Sequence, residues 1–454
     1  MELSGMEREV IAENKRCQGT NCNFMTEGRP FMRGVKLGLA ILAAVLFTLA
    51  LGGLAYAFHS GGVAECSGCH SMHSPKAGGS FLLVGGDQSS TCLTCHEHAG
   101  DTGPSSYHIS TAPADMPPSV PPKQRTPGGD FGWLKKTYSF TVRGTTTVEE
   151  GASHGHNIVA VDFGYAADPS SVTAPGGTFS SAQLGCQSCH DPHGQVRRLS
   201  DGTYGRGATL GTATAPIIGS GSYNNSADPA AGQAVGAYRL LRGLNDTSVP
   251  GVTFTGVAIA VAPSTYNQSE ANTQVRVSYG ASGTNTWGNW CASCHPNMHS
   301  TGGNYVHPVD QALGSTVANN YNAYVKSGDL TGSAATSFTS LVPFAENTGV
   351  IATLKSHAKN DNSYLNGPGT TEQVMCLSCH RAHASGWPEA LRWNTEGEFM
   401  IYNSLFPGTD TTPTVPQFAR GRLGVETQAA YYDRPVTAFA SYQRVLCNKC
   451  HAKD

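Results

Sequence analysis

A mostly coil fold with short helices and a minor β-hairpin, wrapped around covalently held groups in place of an aliphatic core, is predicted by three observations. Only 13% of the 454 residues are charged, about half the usual share of a soluble domain. The chain carries 54 glycines and 25 prolines, and hydrophobic residues make up 39%. That is too little aliphatic surface per residue for a large conventional core. All but two of the 14 cysteines fall into one repeated pattern. The near balance of 29 basic and 32 acidic residues argues against nucleic acid as a partner and against a polybasic membrane-surface binder.

The first element is an export signal. Leu37 to Leu54 is almost wholly apolar, follows Arg33 and Lys36, and ends in Ala55-Tyr56-Ala57 before Phe58, a small-x-small cleavage pattern. Met32 begins an ordinary short positive n-region, so residues 1–31 read as an over-extended gene start, 32–57 as the signal peptide and 58–454 as one exported domain. Cys17 and Cys22 in the leading stretch take no role. The competing reading is an uncleaved anchor, since about 18 apolar residues is near the lower limit for spanning a bilayer.

The second element repeats six times as Cys-x-x-Cys-His: Cys66, Cys69, His70; Cys92, Cys95, His96; Cys186, Cys189, His190; Cys291, Cys294, His295; Cys376, Cys379, His380; Cys447, Cys450, His451. This pattern is that of c-type haem attachment. Two thiols one helical turn apart form thioethers to the vinyl groups, and the next residue sets an imidazole under the iron as proximal ligand. Structural zinc needs paired knuckles and no histidine directly after the second cysteine; disulfides suit an exported protein but leave that histidine unexplained. The expectation is six covalent haems, a multihaem cytochrome c. The proximal histidines lie 26, 94, 105, 85 and 71 residues apart, so no fixed tandem period is expected.

Between the motifs, alternation in Val252, Phe254, Val257, Ile259 and Val261 and again in Val275 and Val277 predicts a small hairpin near residues 251–280. A helix is expected from Val317 to Lys326, and a short helical turn at each motif. Trp133, Tyr138, Tyr321 and Tyr324 read as haem-packing residues.

The sixth ligand comes from the remaining histidines. Five methionines (Met72, Met116, Met298, Met375 and Met400) lie in the exported part, too few for six irons, so bis-His ligation is favoured, with the lower potentials it brings. His73, His193 and His383 each follow a proximal ligand by three residues, in HSMH, HDPH and HRAH. A residue one turn from the proximal ligand cannot cross its own macrocycle, so each of these must serve another haem. His156, His307 and His357 lie in loops away from the motifs and complete the six candidates, with His108 as reserve. His59, His98, His154 and His299 are assigned structural or solvent-facing roles.

Two function classes follow. With every iron six-coordinate the protein is an electron conduit; with one left open it is a reductase of a small molecule. All six motifs end in histidine and distal candidates are in excess, which favours the conduit and makes the protein an electron carrier, not an enzyme.

The strings FHSGGVAEC, HSMH, HAGDTGPSSYHIS, TPGGDFGW, CHDPHG, YVKSGDLTG, CLSCHRAHASG and LCNKCHAKD resemble the OmcS-type outer-surface hexahaem cytochromes of metal-reducing bacteria, over essentially the whole of 58–454. The resemblance implies an exported, cell-surface protein that polymerises head to tail into a conducting filament. Such a filament passes electrons from redox partner cytochromes to iron oxides or partner cells. It also implies that His73 binds the haem of Cys376, Cys379 and His380 in the next subunit. A heterologous contact of that kind propagates as a filament unless it closes into a ring. A monomeric periplasmic or outer-surface shuttle is the alternative within the conduit class.

Overall fold

The computed structural model describes residues 66–76, 80–103, 107–207, 217–264, 275–299 and 307–451. The gene-start and signal segments and His59 lie outside the described residues. Among the described residues no helix is long and apolar enough to cross a membrane.

Coil and turns dominate. Short helices carry the motifs at Cys66–Cys69, Gln88–His96, Trp287–Ala292, Cys186–Cys189, Cys376–Cys379 and Asn448–His451. The second is the longest because Asp87 caps it, accepting from the Ser90 amide at 2.8 Å. The helix expected from Val317 to Lys326 is present as Gly314–Ala323, three residues earlier, and packs on the last motif through Asn320 Nδ2 to Cys450 O at 2.9 Å.

Strands are short and edge-rich. β1 (Tyr138–Val142) and β2 (Thr145–Glu149) form a hairpin that the sequence does not announce, closed at Arg143-Gly144 with both φ positive. β3 (Val196–Leu199) lies between β4 (Tyr204–Arg206) and β5 (Ala234–Gly236). The hairpin expected at 251–280 survives as β6 (Ala260–Val261) antiparallel to β7 (Ser278–Gly280), with a third strand, β8 (Ala345–Glu346), added parallel to β7. Only two residue pairs join β6 and β7; the rest of the alternating stretch runs as isolated bridges, such as Gly243 to Val257 and Asp246 to Phe254.

Packing is aromatic rather than aliphatic. The largest cluster gathers Trp133, Tyr321, Tyr324, Trp387, Trp393, Phe406 and Tyr431. Buried arginines lie on these rings: Arg422 is 4.1 Å from the centre of Tyr138 and 4.3 Å from that of Trp387, a cation–π geometry.

Candidate cofactor chain

The six motifs follow one another through the molecule in chain order. Cys69 interacts with Cys92 and Cys95, Cys92 meets Cys186, and Cys189 interacts with Cys294. Cys291 meets Cys376, and Cys379 interacts with Cys447 and Cys450. Sequence neighbours are thus spatial neighbours from the first motif to the last.

The odd motifs share a fold that their irregular spacing hides. After His70, Ser71 N donates to Leu82 O at 2.7 Å, and Val84 N returns to Cys69 O at 3.0 Å. After His190 the same two bonds are Asp191 N to Leu240 O at 2.8 Å and Arg242 N to Cys189 O at 2.9 Å. After His380 they are Arg381 N to Ala390 O at 2.7 Å and Arg392 N to Cys379 O at 2.8 Å. Each returning segment turns through two consecutive left-handed residues: Phe81 and Leu82, Arg239 and Leu240, Glu389 and Ala390. Non-glycine residues take that conformation at a cost, and here it aims one carbonyl at the motif histidine. His70 Nδ1 lies 2.9 Å from Phe81 O, His190 Nδ1 2.8 Å from Arg239 O and His380 Nδ1 2.7 Å from Glu389 O.

Two even motifs reach the same end by other means. His96 Nδ1 lies 3.0 Å from Tyr107 O and His295 Nδ1 2.9 Å from Pro175 O. A backbone carbonyl can only accept, so Nδ1 carries the proton and the Nε2 lone pair faces outward. That is the tautomer and orientation a metal requires.

Opposing imidazoles stand at two of the motifs. His156 and His295 have ring centres 6.1 Å apart, and His307 and His451 6.3 Å. A metal–imidazole bond of about 2 Å on each side, plus roughly an ångström from each nitrogen to its ring centre, comes to about 6 Å. His156 also holds Nδ1 on Ala382 O at 2.7 Å, and burial, helped by His295, pulls its pKa down to about 4. His383 is buried against Phe131, ring centres 4.7 Å apart. Burial and the nearby His190 pull its pKa down to about 3. Both are neutral imidazoles at pH 7, and among the histidines acting on His383 that of the third motif, His190, acts most.

Other candidates stand differently. His73 and His193 are exposed, and His193 leans toward Asp191 at 3.8 Å. His108 is buried with Nδ1 on the Asp101 carboxylate, its ring stacked 6.0 Å from that of His98, a carboxylate–histidine pairing of the kind that orients metal ligands. His357 holds Nδ1 on Glu346 Oε2 at 2.6 Å and stacks on Tyr364 at 4.2 Å. His154 has both ring nitrogens engaged, by Trp133 O at 2.9 Å and Glu149 Oε1 at 2.8 Å, which leaves neither for a metal. His299 Nε2 lies 3.0 Å from Asp310 Oδ2.

The arrangement fits covalently held haem. Paired thiols lie on or beside short helices, anchored imidazoles follow them, and two pairs of opposing rings sit at the separation that bis-imidazole ligation requires. The buried indole N–H groups of Trp387 and Trp393, 1% and 2% exposed, have no hydrogen-bond partner among the described residues, as suits polar groups facing a bound cofactor.

Comparison with known proteins agrees. The chain is 51% identical over 447 residues to the C-type cytochrome OmcS of Geobacter sulfurreducens, covering 93% of this chain and all of that protein. It superposes on a cryo-EM structure of the OmcS nanowires of Geobacter sulfurreducens with a TM-score of 0.78 at 50% identity, over 87% of this chain and all of that one. An outer membrane cytochrome S filament from the same organism matches with the same values. No family model matches the chain.

Proposed function

Because this chain belongs to the OmcS family of c-type cytochromes, we propose that it is an extracellular electron conduit with six bis-His haem c groups that polymerises head to tail into a conductive filament. Haem, when bound, supplies the one-electron iron couple; the protein supplies attachment, axial ligands and spacing. Cys66 and Cys69, Cys92 and Cys95, Cys186 and Cys189, Cys291 and Cys294, Cys376 and Cys379, and Cys447 and Cys450 form the thioethers. The histidine after each pair is the proximal ligand.

The observation that carries this reading is the single file of motifs in chain order. A conduit needs an unbroken line of sites from one end to the other with every iron closed by two ligands, whereas a catalyst needs one iron left open to substrate. Ring separations support His156 for the motif of His295 and His307 for that of His451, and the electrostatic influence of His190 supports His383 for the third motif. His383 steps back from the fifth motif to the third. The same step takes His193 from the third motif to the first, and takes His73 out of the chain to the fifth motif of a neighbouring copy. The exposure of His73 and the family's nanowire structures support that bridge. His108, the reserve in the sequence, is the candidate for the second motif and takes the place of His357, whose ring is stacked on Tyr364 with Nδ1 on Glu346.

Delivery to iron oxides or partner cells, supply by redox partner cytochromes, and export through the periplasm to the outer cell surface complete the reading. Haem stoichiometry and carbon monoxide binding test it. Six haems per chain and negligible carbon monoxide uptake by reduced filaments are expected; an iron in intact filaments that binds carbon monoxide contradicts it.

A further inference from the structure

Lys449 stands between the two cysteines of the sixth motif. The equivalent residues of the other five are Gly68, Thr94, Ser188, Ser293 and Ser378, all neutral. Its side chain is not a solvated surface lysine: the residue is 4% exposed. The ammonium donates to Tyr324 O at 2.8 Å and lies 4.4 Å from the ring centre of Tyr321 and 5.9 Å from that of Tyr324.

Burying a cation is costly, several kcal/mol per ion, and aromatic faces and one carbonyl offset only part of that. Its field is correspondingly strong, because little solvent screens it. The group nearest to that field is the one held by Cys447, Cys450 and His451. A fixed positive charge beside an iron disfavours the ferric state, which carries one more positive charge than the ferrous state, and so raises the reduction potential.

We propose that Lys449 is the electrostatic tuning residue of the sixth haem and raises its reduction potential. This rests on the six-haem conduit reading. Buried arginines stand against other motifs, Arg392 donating to His380 O at 3.1 Å and Arg242 to Gln187 O at 2.6 Å, but only the sixth motif carries its cation between its own two cysteines.

The test uses assembled protein with Lys449→Met, Lys449→Gln and Lys449→Arg, read by haem count and by spectroelectrochemical titration. Six haems in every variant uphold the conduit reading; fewer than six in the unsubstituted protein would sink that reading separately. With attachment intact, the methionine and glutamine variants are expected to move one haem's share of the amplitude to lower potential. The arginine variant should leave it in place. An unchanged titration in the glutamine variant, or an arginine variant displaced as far as the methionine one, overturns the proposal and leaves Lys449 as a packing residue.

Discussion

The amide of His156 donates to the carbonyl of His383 at 2.9 Å, and from this single bond two imidazoles diverge toward different motifs. His156 faces His295 at 6.1 Å, while His383 stacks on Phe131 at 4.7 Å and feels the charge of His190. A β-bridge between Gly155 and Ala384 extends the contact. Two adjacent candidate haem sites therefore draw their distal ligands from one joint, and their spacing is fixed by backbone rather than by flexible side chains.

That joint depends on glycine. A Cβ on Gly129, whose φ is +102°, would stand 1.8 Å from Ala384 O. Gly129→Ala is expected to cost about 3 kcal/mol of stability, combining overpacking with backbone strain. Gly100→Ala, with φ +83° and nothing within 4 Å, isolates the strain and should cost about 1 kcal/mol. Thermal denaturation of the two variants separates the contributions.

His383→Ala should open one iron without detaching any haem. Reduced filaments of the variant are expected to bind one carbon monoxide per chain, at the haem held by Cys186 and Cys189. His154→Ala, which removes a buried histidine already bonded through both nitrogens, should bind none. Carbon monoxide uptake by both variants, or by neither, would refute the assignment.

Acid should loosen the molecule through Glu149. Burial alone would raise its pKa, but His154 and Arg422 beside it hold the carboxyl down to about 2 from the usual 4.5. Arg420 Nε adds a bond at 2.8 Å. A depressed carboxylate stabilises the fold fully above its unfolded pKa, and the contribution is lost as pH falls from about 4.5 to about 2, roughly 3 kcal/mol in all. Denaturant midpoints across that window should fall steeply in the natural chain and less steeply in Glu149→Gln, which should already be weaker at pH 7.

His73→Ala should leave six haems attached and abolish long filaments, because His73 is assigned to a neighbour's iron and to none in its own chain. Electron microscopy of material sheared from cells expressing the variant reads the result, with His193→Ala as the intramolecular counterpart that keeps filaments.

The sequence disclosed the attachment chemistry because covalent haem needs fixed residue types at fixed spacing, and it placed the helix at Gly314–Ala323 to within three residues. It concealed the shared module of the odd motifs. Ser80–Val84, Tyr238–Arg242 and Pro388–Arg392 share one leucine, Leu83, Leu241 and Leu391, bridged to the motif histidine, and little else in all three, since their bonds to the motifs are made by backbone groups that any residue offers. The returning leucine lies 13 residues after His70 and 11 after His380 but 51 after His190, which hides the repeat. The β1–β2 hairpin escaped for another reason: Thr145, Thr146 and Thr147 are all exposed, so no apolar alternation marks the strand. The pairing of His156 with His295 joins residues 139 positions apart, beyond any local spacing rule.

Cryo-EM of native filaments at side-chain resolution tests the central claim most directly. The account predicts His73 Nε2 on the iron held by Cys376, Cys379 and His380 of the adjacent subunit, with haems in chain order from the first motif to the last. Filaments in which that iron takes its second ligand from its own chain, or discrete particles with six two-ligand haems, would contradict it.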